Sequence, residues 1–177
     1  MVAATSSGKA VVTLPTDTQI LITREFDAPK HLVYEAYTDP KLIERWWSGE
    51  RGKVISVDVD LHVGGSWRYV MMANEGFEVA FHGEFREIVP NERIVSTEVF
   101  EGAPDGDAGA ATYPDAEADA DAPVTTVTFT EVDGRTTLTL LMQLASKEDR
   151  DAIINSGMEA GMQEGMDLLE RVAISLR

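Results

Sequence analysis

Apolar and polar residues alternate with a period of two along much of the chain, which predicts antiparallel strands with one buried face. The alternation begins in a β-branched run at 18–26 and resumes at Val54. Turn-forming residues separate the alternating segments, and Asp133-Gly134 is typical of a tight hairpin. The predicted strands are 18–26, 54–61, 66–73, 77–89, 93–100 and a hairpin pair within 125–144.

Two short helices are predicted between the first strand and Val54. Asp27 with Pro29 forms one helix-start signal, and Asp39 followed by Pro40 forms the next. One small helix pair, a sheet and then a long helix is an α+β order, because parallel sheets need strands and helices that alternate.

The last element is predicted to be one long helix over 146–176. Ser146 and Asp149 have the spacing of a capping box. At about 100° per residue, apolar and polar residues fall on opposite faces, and we expect the apolar face to pack on the sheet. The inward face comprises Ile154, Met158, Gly161, Met162, Gly165, Leu168, Leu169, Val172 and Leu176, and the outward face comprises Glu159, Gln163, Asp167 and Glu170.

Three glycines interrupt this helix, and each costs about 1 kcal/mol relative to alanine. Either bulky sheet residues such as Trp67, Tyr69 and Phe81 pack on the bare helix backbone, or the space stays open for a ligand. Three methionines border the gap, and flexible thioethers suit a wall that adapts to varied apolar shapes. The glycines are Gly157, Gly161 and Gly165, and the methionines are Met158, Met162 and Met166.

Composition narrows the class of protein and of partner. A chain of 177 residues is long enough for one domain with its own core. It contains no cysteine, which excludes disulfides and thiolate chemistry and fits a reducing compartment. No apolar run has the length of a signal peptide or a membrane span, so we expect a cytoplasmic protein without membrane insertion. The net charge of −16 makes nucleic acid an unfavourable partner.

The chain is divided into an extension and one domain that contains a loop of distinct composition. Residues 1–17 are predicted to be an N-terminal extension, and a single domain is predicted over 18–177. Within it, 101–123 is rich in Gly, Ala, Asp and Pro and is predicted to be a flexible acidic loop. Acidic residues recur at every second position over 115–121, but the glycine and the closing glutamate of a calcium loop are missing. We therefore expect no cofactor.

The sequence contains no nucleophile elbow, phosphate-binding loop, paired-histidine zinc motif or dinucleotide fingerprint. Asp58, Asp60 and His62 share one strand face, but a rise of about 3.3 Å per residue separates Asp58 from His62 by roughly 13 Å. One ion cannot bind both, so no metal site is expected.

Three residues are candidates for acid–base chemistry. Polar and apolar residues alternate over 81–86, and the period alone does not say which set faces inward. If the polar set faces inward, a histidine and carboxylates could move protons inside the fold. An enzyme would depend on at least two of these candidates meeting at the cavity wall. They are His62, His82 and Glu98.

Several short motifs occur in the order found in one protein family. They are Ile22-Thr-Arg-Glu-Phe-Asp-Ala-Pro29, Thr38-Asp-Pro before Trp46-Trp47, Asp60-Leu-His-Val-Gly-Gly-Ser-Trp67, Phe81-His-Gly-Glu-Phe, Ser96-Thr-Glu98 and Gly161-Met-Gln-Glu-Gly165. With them the chain resembles the heat-shock-protein ATPase activator homologue family, a member of the START-like (SRPBCC), birch-pollen-allergen-like superfamily. The resemblance covers about 18–100 and 123–175.

The resemblance implies a helix-grip fold, in which a curved antiparallel sheet of six or seven strands surrounds a long C-terminal helix and two short helices close one side. It also implies an internal apolar cavity. Function transfers less well, because one fold serves many activities. Many relatives have arginine at the position of His62 and an aromatic residue at that of Met166, so their polar anchor is not carried over. Chaperone activation is not carried over either, because the co-chaperones of the family have an additional N-terminal domain.

These patterns favour a binding or carrier protein for a small hydrophobic or amphipathic molecule over an enzyme. Two alternatives stay open: a cyclase- or hydratase-like enzyme, and a chaperone-regulating or stress-related interaction module that uses the acidic surface. A homodimer stays open as well. The expected ligand-binding residues are Trp46, Trp47, Trp67, Tyr69, Phe81, Leu140, Met142, Met158, Gly161, Met162, Gly165 and Met166.

Overall fold

A computed structural model of the chain describes residues 9–101 and 122–177. The elements are β1 (Val11–Thr13), β2 (Gln19–Phe26), α1 (Lys30–Thr38), α2 (Pro40–Ile43), β3 (Gly52–Val59), β4 (Ser66–Ala73), β5 (Glu78–Val89), β6 (Arg93–Thr97), β7 (Val99–Phe100), β8 (Val124–Val132), β9 (Arg135–Gln143), α3 (Lys147–Asn155) and α4 (Met158–Ser175). Most of the acidic loop predicted at 101–123, with the calcium pattern at 115–121, lies outside the described residues.

The strands form one curved antiparallel sheet in the order β1-β2-β9-β8-β6-β5-β4-β3, and β7 pairs with β5. In β2 the alternating residues Ile20, Ile22 and Phe26 are buried, as a half-buried strand requires. Leu169 and Val172 of α4 belong to the same core cluster. The predicted α+β fold of helix-grip type is therefore confirmed.

The number of strands differs from the prediction. The sheet has nine strands over the described residues instead of six or seven. Strand β1 was missed because only three residues pair with β2 and Val11 is exposed, so no alternating pattern marks it. The strand predicted over 93–100 is divided at Glu98, whose backbone N–H donates a hydrogen bond to the Pro123 carbonyl (3.0 Å).

The predicted C-terminal helix is two helices. Ser146 caps the first, because its hydroxyl accepts a hydrogen bond from the Asp149 N–H at 3.1 Å. The break falls at Gly157, which has a left-handed backbone (φ +82°) and is the N-cap of α4. Gly157 therefore enables a turn, and only Gly161 and Gly165 weaken a helix interior.

Part of the polar face of α4 packs against the β1–β2 side of the sheet instead of facing water. The Gln163 amide accepts a hydrogen bond from the Ala10 N–H (3.0 Å) and donates one to the Ala10 carbonyl (2.7 Å). Asp167 and Glu170 accept hydrogen bonds from the buried guanidinium of Arg24, at 2.6 and 3.4 Å. The prediction of an outward face is thus wrong for Gln163 and Glu170, because hydrogen-bonding partners beside β1 and on β2 hold them. Asp167 is also bound by Arg24, but its side chain stays half exposed.

Candidate ligand-binding cavity

A cavity of about 380 Å³ lies between the sheet and α4. This volume is within the range of small-molecule sites, about 300–1,000 Å³. All twelve residues expected to bind a ligand line it, and so does Glu98. Their role in binding stays a prediction. The other residues of the wall are Ile22, Tyr37, Thr38, Ser48, Arg51, Val59, Leu61, Met71, Phe85, Ile94, Ser96, Thr125 and Val127.

Four of the wall residues that were not predicted follow a recognisable pattern in the sequence. Ile94 and Ser96 precede Glu98 at a period of two, and Thr125 and Val127 have the same spacing on β8. Residues on one face of a strand share a period of two, so either pair follows once one member is known to face inward.

Aromatic side chains form one part of the wall and hold one another in place. The Trp46 indole N–H donates a hydrogen bond to the Ala36 carbonyl (2.8 Å), and the Trp46 ring stacks on Tyr37 with centroids 5.6 Å apart. Trp47 meets Tyr69 and Phe81 edge-on, at 5.4 and 5.7 Å. All three tryptophans of the chain line the cavity, so tryptophan fluorescence reports on it directly.

The part of the wall that α4 forms consists of methionines and glycines. A Cβ on Gly161 would lie 3.0 Å from the Nε of Arg51, whereas a Cβ on Gly165 would meet only the Trp46 carbonyl, at 3.6 Å. The sheet aromatics therefore do not pack on the glycines, as one interpretation of the sequence required. Arg51 also lies 3.7 Å from Glu164 and is half exposed, which places this pair where the cavity meets solvent.

Glu98 supplies a carboxyl group to this mainly apolar wall. The Thr125 hydroxyl donates a long hydrogen bond to it (3.4 Å). Burial raises the pKa of Glu98, and the Thr125 hydrogen bond opposes that shift. Burial also raises the pKa of the Tyr37 and Tyr69 hydroxyls, and the charge of Glu98 adds to both shifts. The cavity thus has one polar region with a carboxyl group and neutral hydroxyls.

His62 and His82 do not join Glu98. The His62 ring is exposed, with Nε2 3.0 Å from Asp60 and Nδ1 2.9 Å from the Val63 carbonyl. His82 lies on the outer face of β5, with Nδ1 3.3 Å from Glu101. The convergence of at least two candidates, on which the enzyme alternative depended, is therefore not found.

For His82 the physical reason is which face of β5 points into the cavity. Phe81 and Phe85 face the cavity, and between them Gly83 is in such close contact with the Thr97 carbonyl that no side chain fits. The polar residues of the same strand must then point outward. Over the residues that the structure describes, no three carboxylate or imidazole groups lie close enough to hold a metal ion. Among the described helices, none is both long and apolar enough to cross a membrane.

Comparison with protein families assigns the chain. A family model described as activator of Hsp90 ATPase homolog 1-like protein matches residues 27–173. The chain belongs to this family. The comparison with curated proteins finds no match.

Solved structures similar to this family member include bacterial and protozoan proteins. A protein from Rhodobacter sphaeroides is 22% identical, with 96% of this chain and 100% of that one covered and a TM-score of 0.79. One from Mycobacterium smegmatis is 24% identical, with 96% and 100% covered and a TM-score of 0.76. An HSP90 activator from Plasmodium falciparum is 25% identical, with 71% and 72% covered and a TM-score of 0.51. The bacterial structures support the fold alone.

We expect that the free energy of unfolding falls less with rising pH in Glu98→Gln than in the wild type. Because the folded-state pKa of Glu98 is raised, the unfolded chain loses this proton first, and the wild type loses stability as pH rises from about 4 to the folded-state pKa. Above that pKa the loss is constant. The variant has no such proton, so the difference in unfolding free energy, variant minus wild type, should grow with pH.

Urea unfolding at several values between pH 4 and 8 measures this difference. Glu84→Gln is the matched control, because Glu84 is exposed on the same sheet. If the difference for Glu98→Gln changes with pH no more than that of the control, the raised pKa of the Glu98 carboxyl group is contradicted.

Proposed function

We propose that this protein binds a small apolar or amphipathic molecule in the cavity between the sheet and α4. The observation that carries the proposal is the composition of the cavity wall, which contains three tryptophans and five methionines around about 380 Å³. Rigid aromatic rings supply area for contact, and flexible thioethers adapt to the shape of a guest. The absence of cysteine fits a cytoplasmic binding protein.

Straight-chain alcohols from hexanol to dodecanol test the proposal. Each methylene that enters the cavity should add about 0.8 kcal/mol, or roughly fourfold in affinity, until the cavity is full. We therefore expect a saturable change in tryptophan fluorescence, a rise in Tm, and an affinity that increases with chain length and then levels off. Native mass spectrometry should find one guest per chain. If no alcohol changes either signal, the proposal fails.

Regulation of a chaperone ATPase is the second candidate. The family match and the likeness to the HSP90 activator from Plasmodium falciparum support it. Stimulation of an Hsp90 ATPase by the purified protein, unaffected by substitutions that fill the cavity, would favour this candidate over ligand binding.

A further inference from the structure

We infer that the ligand has a basic nitrogen at its polar end and that the carboxylate of Glu98 anchors it. This inference rests on the proposed function and adds the chemical class of the ligand. Four observations support it: the position of Glu98, the acceptors around it, the shortage of positive charge along the cavity wall, and the charge of the whole chain.

The backbone positions Glu98. The residue interrupts the strand between β6 and β7, and its N–H is bound to the Pro123 carbonyl at 3.0 Å. Its side chain lines the cavity, where Thr125 donates to the carboxyl oxygen at 3.4 Å. A carboxyl group built into an apolar wall is costly unless something pairs with it, because water no longer solvates its charge.

An ammonium group matches this part of the wall. It has three N–H donors and no acceptor, whereas a carboxylate and hydroxyl oxygens all accept hydrogen bonds. Glu98 lines the cavity together with Tyr37, Tyr69 and Thr125; the Thr125 hydroxyl contacts its carboxyl group, and its charge acts on both tyrosine hydroxyls. A ligand carboxylate would be repelled by Glu98, and a neutral alcohol would gain a hydrogen bond without the attraction between opposite charges.

Among the described residues of the cavity wall, no positively charged side chain forms an ion pair with Glu98. Its titratable residues are Tyr37 from α1, Arg51 from the turn before β3, Tyr69 from β4 and Glu98, while α4 contributes only methionine and glycine. Arg51 lies at the solvent side, 3.7 Å from Glu164. The net charge of −16 also favours the approach of cations and disfavours anions.

Release of the Glu98 proton should give amine binding a characteristic pH dependence. Without a ligand, burial raises the pKa of Glu98, so its carboxyl group holds a proton to a higher pH than an exposed glutamate does. When an ammonium ion binds, the carboxyl proton leaves to solvent and the ligand keeps its own protons. Affinity for the amine should thus rise with pH up to the folded-state pKa of Glu98 and stay constant above it. The tyrosines stay neutral over this range, because their pKa values are raised.

Decylamine, decanol and decanoate, which share one chain length, test the inference on the full chain at physiological salt. Tryptophan fluorescence titrations should give the wild type at least a tenfold higher affinity for decylamine than for decanol, and the lowest affinity for decanoate. Glu98→Gln should lose at least tenfold for decylamine and change less than threefold for decanol. Glu84→Gln removes the same charge from the outer surface and should leave all three affinities nearly unchanged.

The outcomes separate this inference from the proposed function. If decanol binds and decylamine does not bind more tightly, or if Glu98→Gln does not weaken decylamine, the inference is overturned while the cavity remains a binding site. If none of the three compounds binds, the proposed function fails as well. Should Glu98→Gln not fold, the wild type still decides: the ratio of decylamine to decanol affinity must rise between pH 4 and 8, and a constant ratio overturns the inference.

Discussion

Arg24→Ala should lower the free energy of unfolding by about 3–5 kcal/mol, the range found when one partner of a buried ion pair is removed. Arg24 is only 2% exposed, and its guanidinium contacts Asp167 at 2.6 Å and Glu170 at 3.4 Å. Without it, the largely buried Glu170 carboxylate keeps only the Asp27 N–H (2.9 Å) among its described partners. The contact of Arg24 with the Phe26 ring is lost as well.

Chemical denaturation measures this change, and for a chain of this size Tm should fall by on the order of 10 °C. Arg93→Ala is the matched control. Arg93 also lies on a strand and faces Glu87 at 3.7 Å, but both side chains are nearly half exposed. Surface pairs contribute only about 0–1 kcal/mol. Equal losses for the two variants would contradict the assignment of Arg24 as the buried link between β2 and α4.

Gly165→Leu should reduce affinity for decanol roughly a hundredfold without loss of stability. A Cβ at Gly165 meets only the Trp46 carbonyl, at 3.6 Å, so the longer side chain can extend into the cavity. It displaces up to about four ligand carbons, each of which contributes about 0.8 kcal/mol. The helix should gain stability, because leucine is the better helix former by nearly 1 kcal/mol.

Fluorescence titration and Tm together test this expectation. Ala160→Leu on the exposed side of α4 is the control, and it should leave decanol affinity unchanged. Unchanged affinity in a folded Gly165→Leu protein would contradict ligand binding at this place. A lower affinity together with a large drop in Tm would indicate damage to the fold instead of a filled cavity.

Short sequence patterns correctly predicted the strands, turns and helix caps that depend on neighbouring residues. The strand over 66–73 was predicted with its exact bounds, since alternation and flanking turns mark both ends. The hairpin turn at Asp133-Gly134 is also confirmed, and both residues have positive φ, as a tight turn of this kind requires. The Asp39 cap is confirmed by its hydrogen bond from the Lys41 N–H (2.9 Å).

Other features depended on contacts that no local pattern contains. The polar face of α4 is typical of a solvated surface, yet Asp167 binds Arg24, which lies 143 positions earlier in the chain. Gly157 has the same helical spacing as Gly161 and Gly165, and only the path of the backbone reveals that it ends one helix and begins another.

The sequence by itself determined the α+β order, most strand positions, the starts of the first three helices, and the glycine–methionine stripe that lines the cavity. These features follow from backbone preferences and from apolar spacing within a few residues. Only the tertiary structure decided that Phe81 faces inward and His82 outward, and that Glu98 enters the cavity wall without a histidine. A strand has two equivalent faces until distant segments pack on one of them, so the chemistry of this cavity was set by contacts far apart in the chain.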